Sequence, residues 1–182
     1  MSITFVVHVD DKPGTLNRVA SLVRRRGYNI ESLTVGHTGT PGVSRMTVVV
    51  DATPDAAVRI EANLYKLIHV QRVENVTTVP AVYRHLALIK VAAKSESRSQ
   101  VMQLVDVFRA RVVDVAPDSL IIEVTGADEK IDGLLEILRP FGVLEVAKTG
   151  CLAMARGASG RPAIPTSGAS SDHIDASVSF SV

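Results

Sequence analysis

The hydrophobic and polar positions along the chain follow one arrangement, and the chain contains that arrangement twice. In the first half, an apolar strand-like segment leads through a turn into a stretch whose apolar residues recur every three or four positions, as on one helix face. Two strands, a second helix and a final strand complete the unit. The predicted strands are 3–9, 30–36, 44–50 and 70–78, and the apolar helix faces are Leu16, Val19, Ala20 and Val23, then Ala57, Ile60, Leu64, Leu67 and Ile68.

The second half begins after Pro80 and repeats the same order of elements. Its two helices again show apolar residues with spacings of three and four, and its strands are again short and rich in β-branched residues. The predicted strands are 86–92, 111–115, 119–125 and 143–155, and the apolar helix faces are Val101, Leu104, Val105 and Phe108, then Ile131, Leu134, Leu135 and Leu138.

A repeated β-α-β-β-α-β order predicts an α+β protein of two tandem ferredoxin-like units, each an antiparallel sheet with helices on one face. We expect the units to span residues 1–79 and 83–156. The remaining residues, 157–182, are rich in Gly, Pro, Ser and Ala, so we expect a disordered tail. Units of about 75 residues bury only about 60% of their unfolded surface, and each leaves a sheet edge and a second sheet face to be covered, so we expect the chain to associate.

Several residues predict where helices begin and end. Thr53 is expected to cap the second helix, with Pro54 at its first position. Gly27 is expected just after the end of the first helix. Ser97 and Gln100 have the spacing of a capping box for the third helix.

Composition limits the possible functions. The chain has 20 Lys and Arg against 19 Asp and Glu, 4% aromatic residues and no Trp, which argues against nucleic-acid binding through neutralised phosphates or stacked bases. No run approaches the roughly 18 apolar residues of a membrane helix, and no secretory signal begins the chain, so we expect a cytoplasmic protein. The single cysteine, Cys151, lies in an apolar segment and is expected to be a buried structural thiol.

We find no pattern of residues typical of a catalytic or metal site. The five histidines are scattered, and the chain has no phosphate-binding loop of the GxxxxGK[ST] or GxGxxG type and no GxSxG sequence. We therefore expect no catalytic residues and no metal in this chain.

The turn between the first strand and the first helix, Asp11–Gly14, is the strongest candidate for a binding site. A helix start with free backbone N–H groups attracts a carboxylate, and Gly14 lets a ligand approach the backbone closely. The carboxylate of Asp11 could hold an ammonium group. Asn29 begins the second strand, which is an edge strand in this topology, so it could meet the same turn of a paired subunit. The alternative is an ordinary helix start with Pro13 at the first helical position.

The sequence closely resembles the regulatory (small) subunits of acetohydroxyacid synthase, also called acetolactate synthase. The resemblance covers about residues 2–156, and its most specific part is the NIESLTV string with the SRMT that follows. The segments that carry it are DKPGTLNRVASL (11–22), RRGYNIESLTVG (25–36), SRMTVVV (44–50), LALIKV (86–91), FRARVVDV (108–115), SLIIEVTG (119–126) and EVAKTG (145–150).

The resemblance implies that residues 1–79 form an ACT domain, a regulatory fold that binds amino acids. It implies a homodimer that binds valine, or another branched-chain amino acid, where the ACT domains pair, and that activates and feedback-inhibits the catalytic large subunit. Thiamin diphosphate, Mg²⁺ and FAD would belong to that large subunit, with no cofactor in this chain. The effector-binding residues implied are Asp11, Lys12, Pro13, Gly14, Thr15, Leu16, Asn29 and Ile30.

Two other functions remain open. The chain could be an ACT-type amino-acid sensor that regulates a different partner, such as a transcriptional or kinase system. It could also be a small enzyme on a ferredoxin-like scaffold, such as an acylphosphatase. That enzyme would need an arginine-bearing phosphate loop after the first strand, where this chain has DDKPG at 10–14.

Overall fold

The computed structural model describes residues 1–157, so the tail expected at 157–182 lies outside the described residues apart from Gly157. The described residues form two βαββαβ units and one additional strand. The elements are β1 (Ser2–Asp10), α1 (Thr15–Arg25), β2 (Asn29–His37), β3 (Val43–Asp51), α2 (Pro54–Leu64), β4 (Val70–Asn75), β5 (Ala81–Ala92), α3 (Ser95–Val107), β6 (Arg111–Val115), β7 (Ser119–Gly126), α4 (Asp128–Leu138), a 3₁₀ turn (Arg139–Phe141), β8 (Val143–Lys148) and β9 (Leu152–Ala155).

Each unit is an antiparallel sheet with two helices packed on one face, as the sequence predicts. The strand order is β2-β3-β1-β4 in the first sheet and β6-β7-β5-β8 in the second. In the first unit α1 contacts β2 and α2 contacts β4, so both halves of the sheet are covered on this face. The strand β2 is at the edge of its sheet, as expected.

The apolar helix faces pack against the strands to form one core in each unit. The predicted faces of α3 and α4 both belong to the second core, and Val19, Val23, Ala57, Ile60 and Leu64 belong to the first. Three predicted positions lie outside the core: Ala20 is half-buried, and Leu16 and Ile68 are exposed. Leu16 is 42% exposed because the buried face of α1 runs through Thr15 and Leu22 instead, and Ile68 is 67% exposed because α2 ends at Leu64.

Most of the predicted helix ends are confirmed. The side chain of Thr53 accepts a hydrogen bond from the backbone N–H of Ala56 at 3.3 Å, and α2 begins at Pro54. Gly27 follows α1 with a φ of +76°. The predicted capping box is wrong, because the extended backbone of Lys94 starts α3 at Ser95, which puts Ser97 inside the first turn.

The last predicted strand, 143–155, is in fact two strands separated by the turn Thr149–Cys151. The first of them, β8, pairs with the C-terminal half of β5, and β9 pairs with the N-terminal half, from Ala81 to Arg84. The strand β5 therefore begins five residues before the predicted 86–92. It is long enough, at 12 residues, to hold both partners along its length.

The first residues of β5 and the strand β9 cover part of the outer face of the first sheet. A third apolar cluster forms there, and Tyr83 donates a hydrogen bond from its hydroxyl to the carbonyl of Val76 at 2.7 Å. The chain thus covers part of a face that we expected to need a partner. The buried members of this cluster are Val6, Val49, Val76, Cys151 and Ala153.

Cys151 is buried, as predicted, although it lies in the turn rather than in a strand. Burial, together with the charge of Asp128, raises the pKa of its thiol. The neutral thiol is therefore favoured, which fits a structural role. Within residues 1–157, the helices are all too short or too polar to cross a membrane.

Candidate functional site

The turn Asp11–Gly14 presents an uncapped helix start. Gly14 has a φ of +84° and occupies the N-cap position of α1, and no side chain caps the helix. The backbone N–H of Thr15 donates to the carbonyl of Lys12 at 3.3 Å. The next N–H groups of the first turn have no intrahelical acceptors. Such N–H groups, at the positive end of the helix dipole, favour a bound carboxylate.

Glycine is required at position 14 by the backbone rather than by crowding. A residue with a Cβ is strained at this φ, yet a Cβ built at Gly14 would meet no atom within 4 Å. The space in front of the helix start is therefore open. Pro13 does not occupy the first helical position that the alternative of an ordinary helix start predicts, because the helix begins two residues later, at Thr15.

The other residues of the turn differ in what they can offer a ligand. Lys12 and Pro13 are exposed, and Leu16 presents a 42% exposed side chain beside the helix start. Thr15 is buried, and its hydroxyl has no hydrogen-bond partner among the described residues. The side chain of Thr15 therefore faces the core in this conformation, whereas Leu16 is available as an apolar wall.

Each of the two aspartates at this turn contacts a histidine, which the sequence did not reveal. The Oδ2 of Asp10 lies 2.9 Å from Nδ1 of His69, and Nε2 of Gln71 donates to Oδ1 of Asp10 at 2.6 Å. The Oδ2 of Asp11 lies 3.3 Å from Nδ1 of His37. These partners lie at the end of β2, in the turn before β4 and within β4, so only the alignment of the strands could have identified them.

The hydrogen bonds to Asp10 make an acid-dependent contribution to stability. Those from Gln71 and then His69 stabilise the carboxylate, so the pKa of Asp10 lies below its ordinary value of 3.8. A lowered pKa stabilises the folded state above the ordinary pKa and loses this effect as the pH falls through the folded-state value.

We therefore expect acidification below about pH 4 to reduce the free energy of unfolding less in Asp10→Asn than in the unmodified chain. Urea titrations at neutral and acidic pH measure this difference. Asp106→Asn, at an exposed position of α3, is the matched control and should keep the full acid dependence. An identical acid dependence in Asp10→Asn would contradict the assignment.

The structure does not bring Asn29 and Ile30 together with the turn in one copy of the chain. Asn29 pairs with Asp51 at one end of the sheet, whereas His37, at the other end of β2, contacts Asp11. Eight residue steps along β2 at about 3.3 Å each put these ends about 26 Å apart. The two halves of the predicted site therefore lie at opposite ends of the same edge strand.

A second copy of the chain could join these halves. The strand β2 pairs with β3 on one side, and its other edge has no partner within residues 1–157. Antiparallel pairing of two β2 edges would place Asn29 of each copy near the Asp11–Gly14 turn of the other. The helix-side residues of β2 are apolar and partly exposed, which suits such pairing; they are Ile30, Leu33 and Val35.

The described residues contain no group of three or more His, Cys, Asp or Glu side chains that could hold a metal ion. The start of α1 brings together uncapped backbone N–H donors, the carboxylate of Asp11 and the exposed apolar side chain of Leu16. Groups of these kinds can bind the carboxylate, the ammonium group and the apolar side chain of a small zwitterion.

Comparisons with known proteins agree with the two-unit architecture. Residues 5–72 match a family model described as the AHAS small subunit-like ACT domain, and residues 84–157 match one described as the small subunit of acetolactate synthase.

Individual relatives point the same way. The chain is 49% identical over 150 residues to a probable acetolactate synthase small subunit of Methanothermobacter thermautotrophicus, covering 82% of this chain and 89% of the relative. It is 48% identical over 157 residues to the acetolactate synthase small subunit of Mycobacterium bovis, covering 86% and 94%.

A solved structure shares the fold as well as the sequence. The crystal structure of the acetolactate synthase small subunit from Thermotoga maritima has a TM-score of 0.81 and 38% identity, and the match covers 86% of this chain and 98% of that one. With this fold and these identities, the chain belongs to the family of acetolactate synthase small subunits.

Proposed function

We propose that the chain is a regulatory subunit without catalytic residues of its own. It activates the catalytic large subunit of acetolactate synthase and makes it sensitive to feedback inhibition by valine or another branched-chain amino acid. The observation that carries this proposal is the uncapped start of α1 at Gly14, next to the open edge of β2. That arrangement offers an amino acid a carboxylate site which a second copy would complete.

The effector needs contacts from both copies for energetic reasons. A metabolic sensor with a dissociation constant near ~0.1 mM binds with about −5.5 kcal/mol. A carboxylate at a helix start contributes about 0.3–1 kcal/mol, and up to ~2 kcal/mol when partly buried. The rest must come from the ammonium contact with Asp11, from Leu16, and from Asn29 and Ile30 of the second copy.

Effector selectivity among the branched-chain amino acids is expected to be limited. One methylene in an apolar pocket changes the binding free energy by about 1–3 kcal/mol. Valine, leucine and isoleucine should therefore compete for one site. The charge of Asp11 disfavours a carboxylate beside it, so the ammonium end of the effector belongs on that side of the turn.

Regulation then works through linkage between the effector and the bound large subunit. An effector that holds two ACT domains in one relative orientation shifts the complex toward the state compatible with that orientation, typically by about 1–3 kcal/mol. Thiamin diphosphate, Mg²⁺ and FAD supply the chemistry in the large subunit. The cytoplasmic location, the homodimer and the domain limits 1–79 and 83–156 stay predictions.

The decisive experiment mixes the chain with its cognate catalytic subunit and measures acetolactate formation against valine, leucine and isoleucine. We expect the chain to raise the rate and at least one of the three amino acids to lower it. A sensor for another partner would give neither co-purification with a thiamin-diphosphate enzyme nor stimulation of its rate. Turnover by the chain alone would instead favour an enzyme on this scaffold.

Asn29→Ala should weaken effector binding without unfolding the chain. Asn29 is exposed at the start of β2, so its truncation costs little stability. Loss of a hydrogen bond to a charged ligand group costs about 1.5–3 kcal/mol, or roughly 10- to 150-fold in affinity. Isothermal titration of valine measures the change.

Asn63→Ala on α2, where the Asn63 side chain bonds to Arg26 and to the carbonyl of Arg59, is the matched control. It should bind valine like the unmodified chain. Equal affinity in Asn29→Ala would remove Asn29 from the site.

A further inference from the structure

The turn between β8 and β9, Thr149–Cys151, lies against the outer face of β2. A Cβ built at Gly150 would stand 2.6 Å from Oγ1 of Thr34 and 2.8 Å from the carbonyl oxygen of Leu33. Side-chain carbons do not approach other atoms this closely, so only glycine fits here. The backbone N–H of Cys151 donates to Oγ of Ser32 at 2.6 Å. The turn therefore forms a hydrogen bond with Ser32 and lies close against Leu33 and Thr34 of β2.

The same turn is also fixed to the second unit. The N–H of Thr149 donates to the carbonyl of Leu86 at 2.9 Å, and its Oγ1 accepts from the N–H of Leu86 at 3.0 Å. The preceding residue, Lys148, forms an ion pair with Asp128 at the start of α4 and approaches Asp132 to 3.5 Å. A displacement of the turn would therefore move β5 and α4 together.

The strand that carries this contact also carries one half of the proposed effector site. Asn29 and Ile30 begin β2, and the pairing of β2 with β3 shifts register between Ile30 and Ser32. A bulge interrupts the hydrogen-bond ladder and lets a strand bend locally. Asn29 lies only a few residues from the contact with Gly150, and the register shift between them is where β3 constrains β2 least. A movement at Asn29 therefore displaces the residues of β2 that contact Gly150.

We propose that the Thr149–Gly150–Cys151 turn relays effector binding from β2 to the second unit, with Gly150 as the positioning residue. The relay rests on the proposed function, since it needs an effector at β2. Its physical basis is the absence of a side chain at Gly150, which lets the backbone of the turn lie directly against β2. The turn and β2 therefore move together. Other contacts join the units, including the Arg45 guanidinium with the carbonyl of Ala153 and the Tyr83 hydroxyl with the carbonyl of Val76, but neither of these involves β2.

Gly150→Ala in the full chain, combined with the catalytic subunit, tests the relay. The added methyl must push the turn off β2 because three neighbouring atoms of β2 are closer than van der Waals contact allows. We expect valine to bind with unchanged affinity in calorimetry and the chain still to stimulate the large subunit. Saturating valine should lower the rate of the complex with the unmodified chain but leave the rate of the complex with Gly150→Ala about unchanged.

Two further variants keep the test decisive. Gly133→Ala in α4 is the matched control, because its Cβ would meet only Cε1 of Phe108 at an ordinary 3.7 Å, and it should retain inhibition. Ser32→Ala removes the acceptor for the N–H of Cys151 and should weaken inhibition in the same direction. If Gly150→Ala fails to fold, Ser32→Ala tests the relay in its place.

The outcomes separate the relay from the proposed function. Full inhibition in a folded Gly150→Ala chain, or in Ser32→Ala when the former does not fold, overturns the relay and leaves the regulatory function standing. Loss of valine binding together with inhibition also overturns it, since the turn would then belong to the effector site. If valine, leucine and isoleucine neither bind nor inhibit with the unmodified chain, both proposals fail.

Discussion

Gly14→Asp should abolish inhibition by valine while the chain continues to stimulate the catalytic subunit. The new carboxylate would stand at the uncapped start of α1, where the effector carboxylate is proposed to bind. It would compete for the same N–H groups and repel the ligand. Losing a partly buried helix-start contact of up to ~2 kcal/mol corresponds to about 30-fold in affinity, and the like-charge repulsion adds to that loss.

The substituted chain should still fold. A left-handed conformation costs a residue other than glycine about 1–2 kcal/mol, but aspartate and asparagine tolerate it best, and the Cβ would meet no neighbour within 4 Å. Gly14→Asn, which has the same shape without the charge, separates strain from repulsion and should keep part of the inhibition. Undiminished valine sensitivity in Gly14→Asp would show that the effector binds elsewhere.

Val35→Lys should convert the proposed dimer into monomers and remove effector binding with it. Val35 is 43% exposed on the edge strand β2, so the fold does not depend on its burial. Lysine on an exposed edge blocks edge-to-edge pairing, and symmetry would bring two lysines into one interface. Sedimentation should then give the mass of one 19.4 kDa chain, and calorimetry should detect no valine binding.

The matched control for this variant is Val58→Lys. Val58 is 68% exposed on α2, away from the β2 edge, and should leave both the mass and the affinity unchanged. A Val35→Lys chain that remains dimeric would show that the two copies pair through another surface. The proposed completion of the site by Asn29 of a second copy would then be wrong.

The elements of both units could be predicted because local pattern and tertiary packing agree in them. Val101 and Val105 repeat at helical spacing and are both buried in the second core, and Thr53 and Pro54 start α2 as their chemistry favours. The sequence pattern predicts the strand limits wrongly where contacts between distant segments determine them. The pattern predicts one strand over 143–155, and the pairing of β9 with the start of β5 accounts for the break at Thr149–Cys151.

The candidate site also contains some features that the local sequence predicts and others that depend on contacts between distant segments. The place of Gly14 in the turn before α1 could be predicted, because glycine is favoured where the chain turns sharply into a helix. The contacts of Asp10 and Asp11 with His69 and His37 could not, since they depend on strand register across the sheet. The orientation of Thr15 toward the core depends on how α1 is rotated about its axis against the strands. The spacing of apolar residues does not decide whether Thr15 or Leu16 faces the core.

The strand β9 also has a consequence for how the protein is made. Val6 and Val49 reach their buried state only when Cys151 and Ala153 lie over them, and these come more than a hundred residues after Val49 in the chain. During synthesis the first unit can build its own core early, but it must expose that outer apolar surface until the last strand has left the ribosome. A chain that stops before Leu152 would keep this surface permanently open, which makes premature termination near the end of the described fold an aggregation hazard.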